Sequence, residues 1–138
     1  KLFELDTKLD TLEHIECRPS HLGQVFTNLL SNAADALSEG ENQDGTISVQ
    51  SAKSERDGQA GVSITVEDSG PGVPDELREK VLKPFFTTKA SGVGTGLGLP
   101  ICARIIAAHG GHLAIERSES LGGARFVVWL PEEAQKAA

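Results

Sequence analysis

Residues 91–100 read SGVGTGLGLP and place glycine at every second position from 92 to 98. Helical periodicity follows in residues 97–109. A glycine-rich loop that leads into a helix is typical of phosphate binding, because its backbone approaches a ligand closely and the first helical turn offers unpaired N–H groups. A plain flexible loop has the same composition, so the rest of the chain must decide between these two interpretations.

Composition narrows the possible classes of protein. The chain has 138 residues, of which 38% are hydrophobic, enough for one domain with a real core. Its net charge of −7 argues against a nucleic-acid surface. Cys17 and Cys102 lack metal-like spacing, which indicates reduced, intracellular thiols, and Cys102 lies in an apolar helical pattern that favours packing. No apolar run is long enough to span a membrane.

The order of predicted elements indicates an α+β two-layer sandwich, with a mixed, mainly antiparallel sheet covered on one face by three helices. Asp57-Gly58 predicts a hairpin turn. Residues 1–131 form the predicted domain, and residues 132–138 a polar tail. Strands are predicted at 2–9, 12–17, 46–51, 61–68, 112–117 and 125–130, and helices at 20–37, 74–82 and 97–109. The predicted core positions on the two longer helices are Leu22, Val25, Phe26, Leu29, Ala33, Ala36, Leu97, Ile101, Ile105 and Ala108.

Asp68 is the first candidate for chemistry. It continues the alternation of Val62, Ile64 and Val66, so its carboxylate should point inward, where it needs a hydrogen-bond donor. The glycines of residues 70–72 bring backbone into the same space. A carboxylate that accepts from an exocyclic amine, beside a gap for a flat ring, can recognise adenine. Alternatively, Asp68 caps the N–H groups of its own loop.

Asn28 and Asn32 are the second candidates, because they lie four residues apart on the first helix and share one stripe with Asp35. Asparagine is a poor helix former, so two of them within a helix call for a reason. An amide oxygen is a suitable ligand for Mg²⁺. The alternative is a partly solvated helix face.

The third candidate is PFFTTK at residues 84–89. Its two adjacent phenylalanines can dock and undock the root of a loop. Thr87, Thr88 and Lys89 offer two hydroxyls and a cation that suit phosphate oxygens. The alternative is a hydrophobic loop anchor with an incidental lysine.

Taken in order, four motifs resemble the ATP-binding domain of sensor histidine kinases, which belong to the GHKL superfamily with gyrase, MutL and the heat-shock chaperone. The motifs are QVFTNLLSNAADAL at 24–37, DSGPG at 68–72, PFFTTK at 84–89 and GTGLGL at 94–99. The resemblance covers nearly the whole chain. The sequence from PFFTTK to GTGLGL looks most like that of the nitrogen-regulation and dicarboxylate-sensor branch of these kinases.

This resemblance implies the Bergerat fold and a site for ATP with Mg²⁺. Asp68 would then bind the adenine amino group, Asn32 the metal, and Asn28 the phosphates or a metal-bound water. Catalytic roles would fall to Asn28 and Lys89, and residues 87–96 would form a lid over the phosphates. The nucleotide-binding set implied in full is Asn28, Asn32, Asp35, Asp68, Gly70, Gly72, Val73, Phe85, Thr87, Thr88, Lys89, Gly94, Thr95, Gly96, Leu97, Gly98 and Leu99.

The family donates the γ-phosphoryl group to a histidine on a separate helical-hairpin domain, which also supplies dimerisation. The resemblance therefore implies that this chain is an excised catalytic domain, and that its parent kinase is a homodimer that works with a response regulator. This portion would be cytoplasmic and would contact neither nucleic acid nor a membrane directly. The four histidines of this chain match no phosphoacceptor context, which leaves them structural or surface roles. They are His14, His21, His109 and His112.

Two other functions remain open at this point. One is a nucleotide-gated ATPase clamp of the gyrase or MutL kind. Asn28 argues against it, because it stands where those ATPases carry a general base, so efficient ATP hydrolysis by the chain alone is not expected. The other is a nucleotide-binding regulatory module that transfers no phosphoryl group.

Overall fold

One mixed sheet and two α-helices make up the fold in the computed structural model, which describes residues 3–9, 19–39, 45–82 and 98–132. The strands are β1 (Phe3–Leu9), β2 (Gly45–Arg56), β3 (Gln59–Asp68), β4 (His112–Arg117) and β5 (Ala124–Pro131). The helices are α1 (Pro19–Glu39) and α2 (Gly98–Ala108). The predicted two-layer α+β sandwich is confirmed.

Strand pairing explains how distant segments meet near the end of β3. The order across the sheet is β1-β2-β3-β5-β4, with β1 parallel to β2 and the other three pairs antiparallel. The parallel pair is joined through α1, as a parallel connection requires a crossover. Because β5 lies between β3 and β4, the turn between β4 and β5 lies beside the carboxyl end of β3.

The turn between β2 and β3 is the tight hairpin that the Asp-Gly pair predicts. Asp57 has φ of 51° and Gly58 has φ of 79°. Positive φ at both central positions matches the right-handed twist of the flanking strands. Pairing runs to the end of the hairpin, from Ile47 opposite Asp68 to Arg56 opposite Gln59.

Helix α1 packs an apolar stripe on β2 and β3. Its buried positions are spaced three or four residues apart, as a helix with one buried face requires. They are Leu22, Val25, Leu29, Ala33 and Leu37. Phe26 and Ala36, which we predicted for the core, are half-buried at its margin. Within the described residues no helix is long and apolar enough to cross a membrane.

Helix α2 packs on β4, β5 and α1, and its buried face differs from the prediction. Cys102 and Ile106 are fully buried, whereas Ile101 and Ile105 are half-buried and Ala108 is exposed. Positions 101, 102, 105 and 106 are all apolar, so periodicity alone does not locate the centre of the stripe. Contact with α1 decides it in favour of Cys102 and Ile106.

The short helix predicted at residues 74–82 consists of two 3-10 turns, Asp75–Leu77 and Lys80–Leu82. Leu77 and Arg78 donate their N–H groups to carbonyls three residues earlier, which is the 3-10 pattern. The second turn packs on α2. The strand predicted at 12–17, the proposed lid at 87–96 and the tail beyond residue 132 lie outside the described residues.

Candidate functional site

Asp68 ends β3, points into the core as the alternation predicts, and is only 1% exposed. Its Oδ1 accepts two backbone hydrogen bonds, from Gly70 at 2.9 Å and from Ala124 at 3.3 Å. Within the part of the chain that the structure describes, no hydrogen bond reaches Oδ2. The carboxylate therefore caps its own loop with one oxygen and keeps the other available as an acceptor.

The electrostatic state of Asp68 follows from its burial. Burial raises the pKa of this carboxyl, and the N–H groups of Gly70 and Ala124 offset part of that rise because they stabilise the charged form. A buried carboxylate is costly unless it is hydrogen-bonded. A ligand that donates a hydrogen bond to Oδ2 would stabilise the same charge.

The loop after Asp68 is held between β2 and α1. Ser69 donates its N–H to the carbonyl of Thr46 at 3.1 Å, and the N–H of Thr46 donates to Ser69 Oγ at 2.9 Å. A side chain on Gly70 would come within 3.2 Å of the Ala36 methyl group. The loop thus lies directly on the C-terminal half of α1, next to the polar residues of that helix.

The far end of the loop is anchored by Arg78. Its Nε donates to the carbonyl of Val73 at 3.4 Å, and its Nη2 forms an ion pair of 2.8 Å with Asp75. Gly72 has φ of 79°, which only glycine adopts without strain. The loop backbone is therefore fixed at both ends around the Asp68 carboxylate.

The polar stripe of α1 comprises Asn28, Asn32 and Asp35, and all three side chains are half-buried. Asn28 hydrogen-bonds the thiol of Cys102 on α2. The sulfur in turn donates to the carbonyl of Val25 at 3.7 Å, and burial raises the pKa of the Cys102 thiol, so it stays protonated. Asn28 thus lies where the two helices meet, about one turn from the start of α2 at Gly98.

The structure brings part of the predicted site together. Asp68, Gly70, Gly72 and Val73 form the strand end and its loop, while Gly98 and Leu99 lie half-buried in the first turn of α2. The remaining predicted residues lie outside the described part of the chain. They are Phe85, Thr87, Thr88, Lys89, Gly94, Thr95, Gly96 and Leu97.

The turn between β4 and β5 also contributes to the site, and none of the four motifs predicted this. A Cβ on Gly123 would lie 2.3 Å from both the carbonyl oxygen and Oδ1 of Asp68, so only glycine fits there without movement. Ala124 then donates its N–H to the carboxylate. The adjacent glycines at 122 and 123 were a signal for a tight turn, but their neighbour in space depends on β5 pairing with β3.

Two surface cavities lie away from this site. One of about 440 Å³ is lined by Arg56, Trp129 and the end of α2, at the opposite end of β3 from Asp68. The other, of about 620 Å³, lies between the 3-10 turns and β4. Neither includes Asp68 or the asparagines, so donor chemistry rather than cavity size indicates the site. Among the described residues there is also no cluster of three or more His, Cys, Asp or Glu that could hold a metal.

Comparison with known proteins identifies the family. The sequence profile described as Histidine kinase-, DNA gyrase B-, and HSP90-like ATPase matches residues 17–134. The chain belongs to this ATPase family. It is 43% identical over 125 residues to sensor histidine kinase ZraS of Escherichia coli O157:H7, a match that covers 91% of this chain and 25% of ZraS.

Two further matches agree with that assignment. The C4-dicarboxylate transport sensor protein DctB of Rhizobium meliloti is 37% identical over 126 residues, covering 91% of this chain and 18% of DctB. The nucleotide-free catalytic domain of histidine kinase ThkA superposes with a TM-score of 0.78 at 36% identity, covering 96% of this chain and 80% of that domain. The chain spans a quarter or less of the two sensor proteins. It is similar over nearly its whole length to the catalytic domain of a histidine kinase.

Proposed function

We propose that this ATPase-family chain binds ATP with Mg²⁺ and donates the γ-phosphoryl group to a histidine on a separate dimerisation and phosphoacceptor domain. The parent protein would be a homodimeric sensor kinase that passes the phosphoryl group to a response regulator. This portion would lie in the cytoplasm. Similarity to ZraS, DctB and ThkA supports the kinase assignment.

The observation that carries the proposal is the state of the Asp68 carboxylate. Oδ1 is held by two backbone N–H groups, while Oδ2 has no hydrogen bond among the described residues. In this proposal the exocyclic amine of adenine donates to Oδ2, and the loop of residues 69–73 lies along the base. A fixed acceptor in a site shielded from water discriminates strongly between a donor and an acceptor on the ligand.

The donors on α1 fit a magnesium ion that arrives with the nucleotide. Mg²⁺ prefers oxygen ligands and is usually held by one or two protein groups together with phosphates and water. Asn28 and Asn32 have half-buried amides that would supply one or two such oxygen ligands. A cage built from protein groups alone would need more ligands, and the described residues contain no cluster of three or more His, Cys, Asp or Glu. We assign Asn32 to the metal and Asn28 to the phosphates or a metal-bound water, and Asp35 to the nucleotide site. Bound Mg²⁺ would neutralise phosphate charge.

The remaining roles concern phosphate binding. The start of α2 at Gly98 and Leu99 offers unpaired N–H groups and the positive end of a helix dipole. We assign Lys89, with Thr87 and Thr88, to the β and γ phosphates, with residues 87–96 as a lid. Asn28 is an amide and cannot act as a general base, so catalysis would depend on positioning and electrostatic stabilisation.

Nucleotide binding tests the adenine assignment. Calorimetry would compare ATP with inosine triphosphate, which carries a carbonyl oxygen in place of the exocyclic amine. We expect the wild-type chain to prefer ATP by at least about tenfold, and Asp68→Asn to remove that preference. Asp57→Asn, at the exposed hairpin turn, is the matched control and should bind like the wild type. An unchanged preference in Asp68→Asn would refute the assignment.

Phosphoryl transfer needs a second experiment. The chain, mixed with a purified helical-hairpin domain that carries an acceptor histidine, should yield acid-labile label from γ-labelled ATP. Asn28→Ala and Asn32→Ala should each reduce that label. Steady ATP hydrolysis by the chain alone would instead favour an ATPase clamp. Tight ATP binding without a labelled histidine would favour a regulatory module.

A further inference from the structure

The turn between β4 and β5 is organised around one side chain, that of Ser118, which is fully buried. Its Oγ accepts the N–H of Leu121 at 3.1 Å. Its own N–H donates to the carbonyl of Gly123 at 2.8 Å, and its carbonyl accepts the N–H of Gly122 at 2.7 Å. The side chain and the backbone of Ser118 therefore hold the turn together through these three hydrogen bonds.

Ser118 also ties this turn to the strand that ends in Asp68. Its hydroxyl donates to Oε1 of Glu67 at 3.0 Å, and Glu67 is only 7% exposed. Successive side chains of a strand point to opposite faces, so Glu67 and Asp68 hold the turn from the two sides of the sheet. A buried carboxylate requires such a donor. The bond thus links residues 51 positions apart.

The position of this turn determines the surroundings of the Asp68 carboxylate. The Cα of Gly123 lies so close to Asp68 that an added Cβ would be 2.3 Å from Oδ1 and 2.8 Å from the N–H nitrogen of Gly70. Ala124 donates directly to Oδ1. A shift of the turn by a few tenths of an ångström therefore changes the hydrogen bonds that orient the carboxylate.

We propose that Ser118 and Glu67 form a positioning pair for nucleobase recognition, a role that rests on the proposed function of Asp68. The pair holds Gly123 and Ala124 against Oδ1, and this fixes the carboxylate with Oδ2 directed at the base. Without the pair, Asp68 turns between orientations and must be ordered when the nucleotide binds. Loss of the pair therefore weakens the binding of a base that donates to Oδ2 and leaves the binding of a base without that donor unchanged.

Four variants test this pair by the ratio of the dissociation constants for inosine triphosphate and ATP. Ser118→Ala removes the donor, and Glu67→Met removes the acceptor at similar size. We expect each to weaken ATP binding by about tenfold, with little change for inosine triphosphate. Glu67→Gln keeps an acceptor oxygen and should restore most of the ratio. Ser120→Ala changes an exposed serine of the same turn and should match the wild type.

Three outcomes are decisive. Equal weakening of both nucleotides in Ser118→Ala and Glu67→Met, in step with lower thermal stability, would mean a purely structural bond and would overturn the proposal. An unchanged ratio of the two dissociation constants in folded Ser118→Ala would also overturn the proposal. If Ser118→Ala does not fold, the ratio measured for Glu67→Met decides instead. If the wild type shows no preference for ATP, or Asp68→Asn retains it, the proposed function of Asp68 fails instead.

Discussion

The backbone N–H of Ala124 donates to Oδ1 of Asp68 across 3.3 Å, although 56 positions separate the two residues in the chain. Two strands make this contact possible, because β5 pairs with β3 and begins where β3 ends. The same oxygen accepts the N–H of Gly70. One carboxylate oxygen thus joins the loop after β3 to the turn before β5.

Replacing Asp68 should separate its structural role from its proposed binding role. Asp68→Asn keeps an oxygen that accepts from Gly70 and Ala124 and removes a buried charge, so the free energy of unfolding at neutral pH should stay equal or rise. Asp68→Ala leaves both N–H groups unpaired and should cost about 1–3 kcal/mol. Urea unfolding of both variants checks this. An equal loss of stability in both would contradict it.

The raised pKa of Asp68 predicts opposite effects of acid on nucleotide binding and on stability. Protonation removes the charged acceptor, so ATP affinity should fall as the pH falls through the folded-state pKa. The folded protein holds this proton to higher pH than the unfolded chain, so the contribution of Asp68 to the free energy of unfolding declines as the pH rises from 3.8 through the folded pKa.

This pH dependence is measured against Asp68→Asn, which lacks the titrating group and corrects for protonation of ATP itself. Calorimetric titrations and urea unfolding between about pH 4 and pH 8 would cover the window above the usual value for aspartate. The wild type and the variant should differ in slope in both experiments. Parallel curves would show that the Asp68 carboxyl does not titrate in this range.

Two glycine-to-alanine changes should have opposite signs. Gly123→Ala forces a methyl group against Asp68 and should destabilise the fold by about 1–3 kcal/mol. Gly23→Ala lies on α1 with nothing within 4 Å of the new methyl group, so it should stabilise by about 0.5–1 kcal/mol. Unfolding followed by Trp129 fluorescence measures both. A stable Gly123→Ala with normal ATP affinity would argue against close packing of the turn.

Trp129 should matter for stability and not for nucleotide binding. It is 5% exposed, its ring lies against Gly61, and its Nε1 donates to the carbonyl of Ser54 at 3.1 Å. Trp129→Phe loses that bond and some packing, which should cost about 1–3 kcal/mol. Circular dichroism can follow the melt.

ATP affinity should remain within about twofold in Trp129→Phe, since Trp129 pairs with Ser63 at a distance from the end of β3. Leu30→Gln, at a side chain that is 38% exposed, is the control and should change stability by less than about 0.5 kcal/mol. A large loss of ATP affinity in folded Trp129→Phe would mean that the nucleotide site extends further along the sheet.

Local patterns predicted the elements whose signal lies within a few residues. The alternation from Val62 to Val66 predicted an inward Asp68, and the structure confirms its burial. The Asp57-Gly58 pair predicted the hairpin turn. Such signals are readable because strand alternation and positive φ depend on the chain's own geometry.

Predictions were less accurate for elements whose form depends on packing against distant parts of the chain. Residues 74–82 form two 3-10 turns, and the most buried side chains of α2 are Cys102 and Ile106, whereas the predicted Ile101 and Ile105 are half-buried. In both places the local sequence permits more than one arrangement. Packing of the second 3-10 turn on α2, and of α2 on α1 and β4, then selects among them, so tertiary contact overrides weak local preference.

The sequence by itself determined the layer architecture, the order of the four motifs and the identity of the donor groups, because periodicity and residue chemistry are properties of the chain. Only the tertiary structure decided which oxygen of Asp68 accepts hydrogen bonds, because one donor, the N–H of Ala124, lies on a different strand. Strands pair through backbone groups that every residue has, so local sequence does not specify which strand lies beside Asp68. For the same reason, the bond between Ser118 and Glu67 depends on the order of strands in the sheet, and pattern reading does not reveal it.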